Sequence, residues 1–339
     1  MRIAWLTTPI LALPLALVAC AYSLTPPRPS HLALDLPPGP PRIAISLVDE
    51  RPAEVRSLAF VEWDSFGRFP PEEKPTDPPP FLARQVQVEL ESRGLPVTVE
   101  VADRGLPRIR LRTFRVRGYR QKLELEEIIA RVLISADLET STGSKRIGVF
   151  TAGVDEFRFA PNDAPIVAAV SDPVAMAIKE FSAKLANELY GYQSPDATVR
   201  QIADEIEIPI NNDTYRNLYA LGFTNNPLAI PLAARIAEHP EVLNNNPDKW
   251  TNISLVGGAR IAAVSSLGTL HATSQLALLE SLYENKDLGW RTRCMAAKSI
   301  GDLGNPEALA YLAAQLASGT ISPARERGAF LAQVIELYL

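Results

Sequence analysis

The sequence predicts an α+β fold, in which a mostly antiparallel sheet carries two helices packed on one face, followed by an all-α domain of helical repeats. Within residues 42–193, apolar and polar residues alternate in several short stretches, as they do in strands, and two further stretches have apolar residues at helical spacing. Residues 197–339 carry almost no alternation, and part of that region repeats at a fixed offset. A chain of 339 residues is long enough for two cores at about 150 residues per domain.

The chain begins with a short apolar stretch that indicates export. Arg2 precedes a largely apolar run over residues 3–18, which ends in Leu17-Val18-Ala19-Cys20. This run contains Pro9 and Pro14 and is shorter than the roughly 20 apolar residues that a membrane-spanning helix needs. A cleaved secretory signal is the other alternative, but it would leave a free thiol near the new terminus in an oxidising compartment.

This order, an apolar core and then Leu-x-Ala-Cys, resembles the signal peptide and lipobox of bacterial lipoproteins. The resemblance implies that residues 1–19 are removed, that the Cys20 sulfur is lipidated and that its new amine is acylated, with palmitate as the expected acyl group. The residue that follows the cysteine is Ala21 and not an aspartate. By the sorting rule of these lipoproteins, that implies the outer membrane, with the protein facing the periplasm.

The segment after the signal, residues 20–41, is expected to be a tether. Residues 21–41 contain seven prolines and no apolar periodicity, which favours polyproline II structure. At about 3.1 Å per residue, such a tether would hold the folded part up to roughly 60 Å from the lipid.

Composition narrows the choice of partners and of stabilising bonds. The formal net charge is -5 and no long basic tail is present, so nucleic acid is not expected as a partner. The chain has two cysteines, and if Cys20 carries lipid, Cys294 has no partner for an intramolecular disulfide. Cys294 lies at a small apolar position of a predicted helix, where a thiol is typically buried and inert. Packing is therefore expected to stabilise the fold.

The first domain, residues 42–193, is predicted to begin with a strand over Ile43–Val48. A long proline-rich loop over residues 53–79 follows, and loops of that length are usually functional or disordered. A helix over Phe81–Ser92 and a short strand over Val97–Val101 come next.

The middle of this domain is predicted to be a meander of three long antiparallel strands. The first begins at Arg108 and shows a phase slip at Thr113-Phe114, which indicates a β-bulge. Residues 118–122 and 141–144 are predicted turns. Ser171-Asp172-Pro173 has the capping residue and the first-turn proline that are typical of a helix start.

Several short motifs of this domain together resemble the YajG-type bacterial lipoproteins. They lie within residues 17–193 and are Ile43-Ala44-Ile45, Asp49-x-Arg51-Pro52, Phe81-Leu82-Ala83-Arg84-Gln85, Ser92-Arg93-Gly94 and Ala177-Ile178. The resemblance implies an envelope location and an α/β fold. It transfers no catalytic residue.

The second domain, residues 197–339, contains an internal repeat. Residues 260–270 match residues 293–303 at an offset of 33, and a shorter echo lies at Tyr219–Gly222. This pattern of small residues in paired helices resembles a short HEAT-type array. We expect a glycine to end the first helix of each pair, and a final helix over residues 325–337 to cap the stack as a truncated repeat.

Two candidate sites follow from the polar residues. Arg108, Arg110 and Arg112 share one face of the predicted strand, and an anionic ligand such as a lipid or glycan phosphate would suit them. The alternative is cross-strand pairing with acidic residues of the next strand, which are Glu124, Glu126 and Glu127.

The second candidate site is an insert between the first and second repeats, in which Asn245 and Trp250 are the candidate partner contacts. Inserts in repeat arrays fall on loops, often on the binding face. The alternative is a solvated loop whose Trp250 packs on the next helix.

Motifs for catalysis are sparse. The three histidines have no second ligand at metal spacing, and no phosphate-binding glycine loop or Gly-x-Ser-x-Gly motif occurs, so we predict no metal, no cofactor and no enzyme. The predicted function is that of a non-catalytic envelope lipoprotein that binds or scaffolds a periplasmic or outer-membrane protein. The alternative is an auxiliary lipid- or glycan-binding subunit in envelope transport or cell-wall maintenance. The oligomeric state stays open.

Overall fold

A computed structural model of the chain describes residues 26–56, 61–64, 76–120, 127–156, 164–206, 212–243, 250–319, 321 and 326–339. It confirms the predicted α+β fold followed by a helical region. The strands are β1 Ile43–Asp49, β2 Val61–Asp64, β3 Val97–Val101, β4 Arg108–Arg120, β5 Glu127–Thr140 and β6 Gly143–Glu156. The helices of the sheet region are α1 Ala53–Arg56, α2 Pro78–Ser92 and α3 Ala164–Tyr190. Those of the helical region are α4 Asp196–Ile206, α5 Asn212–Phe223, α6 Ile230–Glu238, α7 Trp250–Thr269, α8 Leu276–Glu284, α9 Trp290–Leu303, α10 Pro306–Ala317 and α11 Glu326–Glu336.

The sheet has the strand order β3-β1-β4-β5-β6, and β2 pairs with the far half of β4. The long pairs β4–β5 and β5–β6 are antiparallel, whereas the short pairs that involve β1 and β2 are parallel. The register shifts between Leu111 and Thr113, so Arg112 is the extra residue of a bulge. The predicted bulge is therefore confirmed to within one residue.

Two details of the strand region differ from the predictions. Strand β4 runs through the predicted turn at residues 118–122 as far as Arg120, because Gly118 to Arg120 stay paired with β5. The predicted loop over residues 53–79 contains α1 and β2, and Val61 of β2 is buried beside β4. Residues 57–60, 65–75 and 121–126 lie outside the described residues.

Helices α2 and α3 cover one face of the sheet, as predicted. Helix α2 begins at Pro78, three residues before the predicted start at Phe81, because prolines suit the first helical turn, where the N–H groups have no intrahelical acceptor. The core on this face combines apolar residues of both helices with apolar residues of the strands. Its members include Leu82, Val86, Leu90, Val174, Ile178, Phe181, Leu47, Ile109, Phe114, Val132, Ile134 and Val149.

The predicted helix start at Ser171-Asp172-Pro173 is wrong, because these residues lie inside α3. A proline within a helix removes one backbone donor and crowds the preceding turn. Here the sheet adapts to it: a Cβ on Gly153 would lie 2.6 Å from Pro173 Cγ, and the hydroxyl of Thr151 donates to the Pro173 carbonyl at 2.8 Å. The absence of a side chain at Gly153 thus makes room for the proline ring.

The helical region consists of the predicted helix pairs, but its glycines have a different role. Gly222, Gly268 and Gly301 lie within α5, α7 and α9 and do not end these helices. A Cβ on Gly222 would lie 2.8 Å from the Cα of Ser266, and one on Gly268 would lie 2.6 Å from the Cα of Ser299. Each glycine therefore lets the first helix of the next pair approach closely. Helix α9 ends at Gly304, which has a left-handed φ of 66°.

The second half of the predicted tether belongs to the folded body. Leu32 and Leu34 are buried, and the Ser30 amide donates to Glu89 Oε2 at 2.9 Å. Further along, the Asp35 amide donates to the Gln193 carbonyl at 2.8 Å. A free tether can therefore include only residues before about Ser30, which shortens its reach to roughly 30 Å at about 3 Å per residue.

The helical region also covers part of the second face of the sheet. Leu133 and Phe150, which point away from α2, belong to the same apolar cluster as the helical repeats. The Ser135 hydroxyl donates to the Leu337 carbonyl at 3.0 Å. The two predicted domains therefore share an apolar interface and are not joined only through the chain near residues 193–195. Within the described ranges, no helix is both long enough and apolar enough to cross a membrane.

Candidate functional site

Two of the predicted site residues, Cys20 and Asn245, lie outside the described part of the chain. Trp250 is the first residue of α7, so the predicted insert gives way to helix at this position. The lipidation site and the partner-binding loop therefore stay predictions.

The three arginines predicted to form an anion-binding face lie together, but each is paired with acidic side chains. Arg108 lies 3.1 Å from Asp103. Arg110 contacts Glu50 and lies 2.9 Å from Glu139. Arg112 lies 2.6 Å from Glu50, and its Nε is 2.9 Å from Asp137. We call this group of residues the charged face.

The charged face carries no excess of positive charge. Arg146 also contacts Asp137, which brings the number of arginines to four. Four carboxylates match them, and these are Glu50, Asp103, Asp137 and Glu139. Hydrogen bonds to Glu50 and Glu139 raise the pKa of Arg110. Burial acts to raise the pKa of Asp137, but hydrogen bonds from Arg146 and Arg112 hold it below its usual value. An anionic ligand would have to displace carboxylates that are already in place.

Pairing with carboxylates thus describes the charged face, but the predicted partner Glu127 is not among those carboxylates. Arg108 pairs with Glu139 at one end of the β4–β5 ladder. Glu127 lies at the opposite end, next to Ile128, which pairs with Arg120. Glu127 is therefore about eight residues, or roughly 27 Å, from Arg112 along the strand pair. Glu124 and Glu126 lie outside the described residues.

A second charged cluster, which the sequence analysis did not predict, is buried between the sheet region and the repeats. Lys298 of α9 lies 2.6 Å from Glu180 of α3 and 2.8 Å from Asp302. Lys184 of α3 lies 2.6 Å from Glu180 and 2.5 Å from Asp302. All four side chains are at most 4% exposed. We call these four residues the buried ion cluster.

Neighbouring polar groups complete the buried ion cluster. Lys184 donates to the Gly148 carbonyl of β6 at 2.6 Å, and Lys298 donates to the Ser265 hydroxyl of α7 at 3.0 Å. The Tyr338 hydroxyl donates to Asp302 Oδ1 at 2.6 Å. The cluster therefore joins a strand, three helices and the C-terminal turn.

Two lysines and two carboxylates give the buried ion cluster no net charge. Burial acts to lower the pKa of Lys298, but Asp302 and Glu180 hold it above its usual value. Burial acts to raise the pKa of Asp302, but Lys184 and Lys298 hold it below its usual value. Burial lowers the pKa of Lys184, and the charges of Asp302 and Glu180 counteract that effect. All four side chains are enclosed by the protein and do not reach its surface. The arrangement suits a structural role.

The spacing of these residues is the signal that could have revealed the cluster. Glu180 and Lys184 stand four residues apart on α3, and Lys298 and Asp302 stand four residues apart on α9. Both pairs interrupt otherwise apolar or small helical faces, where a charge requires a partner.

A further buried arginine joins the sheet region to the first repeat. Arg93, at the end of α2, is fully buried, and its guanidinium donates to the Phe223 carbonyl of α5 at 2.8 Å and to Glu89 at 2.9 Å. Burial lowers the pKa of Arg93, and Glu89 counteracts that effect.

The outer side of the repeats carries an acidic patch that consists of Glu280 and Glu284 on α8 and Glu307 on α10. Burial, followed by the nearby charges of Glu307 and Glu284, raises the pKa of Glu280. The Tyr311 hydroxyl donates to Glu284 at 3.0 Å. Among the described residues, no basic side chain forms an ion pair with these three carboxylates. The acidic patch is therefore not neutralised as the charged face is.

The remaining reactive side chains have structural surroundings. Cys294 is buried, and burial raises the pKa of its thiol to about 12, so the thiolate is disfavoured. Arg51 Nε lies 2.8 Å from Asp49 as a local ion pair. His271 Nδ1 lies 2.6 Å from the Asp302 carbonyl. Within the described ranges, no three His, Cys, Asp or Glu side chains are grouped to hold a metal ion.

Comparison with known proteins supports the repeat assignment. A family model described as HEAT repeats matches residues 258–331, which run from within α7 into α11. The C-terminal part of the chain is therefore similar to HEAT repeats, and the predicted helical-repeat region is confirmed. Neither the curated proteins nor the solved structures yielded a match.

Proposed function

We propose that the chain is a non-catalytic lipoprotein of the bacterial outer membrane that is anchored through Cys20, faces the periplasm and binds or scaffolds a protein partner. The lipobox-like motif at residues 17–20 and the YajG-type resemblance of residues 17–193 support this location. An anchor with several acyl chains gives stable membrane attachment, whereas one chain gives only marginal binding.

The observation that carries the binding role is the acidic patch on the outer side of the repeats. Helices α8 and α10 pack on α9 through residues such as Leu279 and Leu312, while Glu284 and Glu307 point to solvent. Repeat arrays use such extended surfaces to bind other proteins. Carboxylates without counter-charges fit a partner with a basic surface, which would gain association rate and specificity from them.

Capture of partners from native envelopes tests this proposal. The full chain would be cross-linked in its membrane, purified and compared with a variant that combines Glu280→Gln, Glu284→Gln and Glu307→Gln. A matched control combines Asp204→Asn and Glu205→Gln, which remove exposed charges from α4. We expect one protein to be captured by the wild type and the control but lost from the triple variant.

Other outcomes would redirect the assignment. Equal capture by the triple variant would contradict the acidic patch as the binding surface, and Trp250→Ala would then test the predicted loop. Recovery of lipid or glycan without a protein would favour the alternative function of an auxiliary lipid- or glycan-binding subunit.

A further inference from the structure

Residues 30–36 form a strap that runs over the folded body from the repeats to the sheet region. The buried Leu32 belongs to the apolar cluster of the repeats, and the buried Leu34 belongs to the core between the sheet and its two helices. Leu36 is partly buried against that same core. The residues that alternate with these leucines are exposed, and they are His31, Ala33 and Asp35. One side of the strap is therefore docked on the body, while the other side faces solvent.

Hydrogen bonds from the backbone of the strap add to this docking. The amides of Leu34 and Asp35 donate to the carbonyls of Arg93 and Gln193, at 3.2 Å and 2.8 Å. The first residue of the strap is held by Glu89, whose carboxylate accepts its amide at 2.9 Å and also its hydroxyl. The carbonyl acceptors lie just beyond the ends of α2 and α3, so the strap spans from one helix end to the other.

The contributions that favour and oppose docking are of similar size. Ordering seven residues costs conformational entropy, and burial of two leucines with a few hydrogen bonds offsets a cost of that order. The docked strap also holds His31 at a φ of 52°, in the left-handed region that residues other than glycine rarely adopt. Segments with so few buried contacts open locally while the core stays folded.

A bend at Gly39 connects the strap to β1. Gly39 has a left-handed φ of 66° and stands between Pro37-Pro38 and Pro40-Pro41. The four prolines favour extended polyproline II structure, which the bend interrupts. A Cβ on Gly39 would meet nothing within 4 Å, so only the backbone conformation requires a glycine here. Straightening of this segment would lead the strap away from the body.

We propose that residues 30–36 act as a detachable strap, which alternates between the docked position and a released one in which the segment around Gly39 is straight. In the released form, residues 20–41 make up one continuous tether. Its reach from the lipid then rises from roughly 30 Å to roughly 60 Å, at about 3 Å per residue. The strap thus sets how far the body stands from the membrane, and this consequence rests on the proposed anchor at Cys20.

Hydrogen exchange of the full chain in detergent tests whether the strap opens by itself. The amides of Leu34 and Asp35 report docking, because both donate to the body, and the amides of β5 report global unfolding. We expect the strap amides to exchange at least about 100-fold faster than those of β5. Gly39→Ala disfavours the left-handed bend of the docked form and should speed their exchange roughly tenfold.

The matched control is Gly319→Ala. Gly319 has the same φ of 66° and equally open space around a Cβ, but it follows α10, so its substitution should leave the exchange of the strap unchanged. Strap amides that exchange as slowly as those of β5, or as fast as those of an unstructured peptide, would overturn the proposal. So would an equal response of the strap to both glycine substitutions.

Neutron reflectometry tests the change in reach, with the full chain purified from membranes and bound to a supported bilayer of phosphatidylethanolamine and phosphatidylglycerol. Leu32→Ser combined with Leu34→Ser removes the apolar contacts of the strap, and Ala33→Ser is the matched control at an exposed position. Protection of the β5 amides from exchange confirms that each variant is folded. We expect the water layer between bilayer and body to widen by about 10–30 Å in the double variant only.

A water layer of unchanged width in the double variant would overturn the role of the strap in setting the reach. Failure of the wild type to bind the bilayer would instead contradict the anchor at Cys20. The exchange measurement decides in either case whether the strap opens.

Discussion

Lys298 Nζ lies 2.6 Å from Glu180 Oε1, so a helix of the repeats carries the counter-charge of a helix that packs on the sheet. Both side chains are fully buried. A charge at such a depth is costly unless it is paired and hydrogen-bonded. The packing of the repeats on α3 therefore supplies the buried Glu180 with a second counter-charge, beside that of Lys184.

Removal of one charge from the buried ion cluster should be far more harmful than removal of a surface charge. Lys298→Met leaves two carboxylates for one lysine, and we expect a loss of about 3–5 kcal/mol in the free energy of unfolding. Lys286→Met, at an exposed position, is the matched control and should change that free energy by no more than about 0.5 kcal/mol. Urea denaturation measures both. A loss of under 1 kcal/mol in Lys298→Met would show that the cluster stabilises little.

Stability should fall at acid pH because the pKa of Asp302 is lower in the folded chain than its usual value of 3.8. A carboxyl of this kind contributes stability above pH 3.8, and the contribution is lost as the pH falls through the folded pKa. Urea denaturation from pH 7 to pH 2 measures the free energy of unfolding of the wild type and of Asp302→Asn. The difference between these two free energies should be smaller at pH 2 than at pH 7. A difference that is constant over this range would mean that Asp302 does not titrate as the ion pairs require.

The close approach of successive repeats gives a test that uses two glycines of one helix. Gly268→Ala would place a Cβ 2.6 Å from the Cα of Ser299, so we expect a loss of about 1–3 kcal/mol from overpacking. A Cβ on Gly257 would meet nothing within 4 Å, so Gly257→Ala should stabilise α7 by about 0.5–1 kcal/mol through helix propensity. Thermal unfolding compares the two. Equal effects of the same sign would contradict the packing role of Gly268.

The membrane anchor is tested most simply at Cys20. If Cys20 carries the proposed lipid, Cys20→Ser prevents its attachment, and we then expect the variant to leave the membrane fraction and to appear among soluble periplasmic proteins. Fractionation of cells followed by immunoblotting measures the distribution, with Cys294→Ser as the control that keeps the anchor. Retention of the Cys20→Ser variant in membranes after a high-salt wash would contradict lipid anchoring.

Features that depend on local pattern could be predicted from the sequence. The alternation in residues 108–117 gives both the long strand and its bulge, and the offset of 33 aligns Ser266 with Ser299 and Gly268 with Gly301. The helix over residues 81–92 and the strand over residues 97–101 follow in the same way. Each of these features arises from contacts between neighbours in the chain or from one repeated unit.

Features that depend on distant residues could not be predicted in this way. Gly301 packs against the ring of Tyr338, which comes from the C-terminal turn and has no equivalent in the repeat. The carboxylates that pair with Arg108–Arg112 follow from how far β4 and β5 extend, and the prediction ended β4 too early. Leu32 and Leu34 lie in a proline-rich segment, where two leucines give too weak a pattern to indicate burial.

The central claim is that the sheet region and the repeats are stable only together, and a fragment of residues 42–193 tests it most directly. The fragment contains Glu180 and Lys184 but lacks Lys298, Asp302 and Tyr338, and it exposes Leu133 and Phe150 to water. Differential scanning calorimetry of the fragment and of the full chain compares their unfolding. We expect the fragment to show no cooperative transition, whereas the full chain unfolds in one. A cooperative transition of the fragment at a temperature close to that of the full chain would contradict the claim.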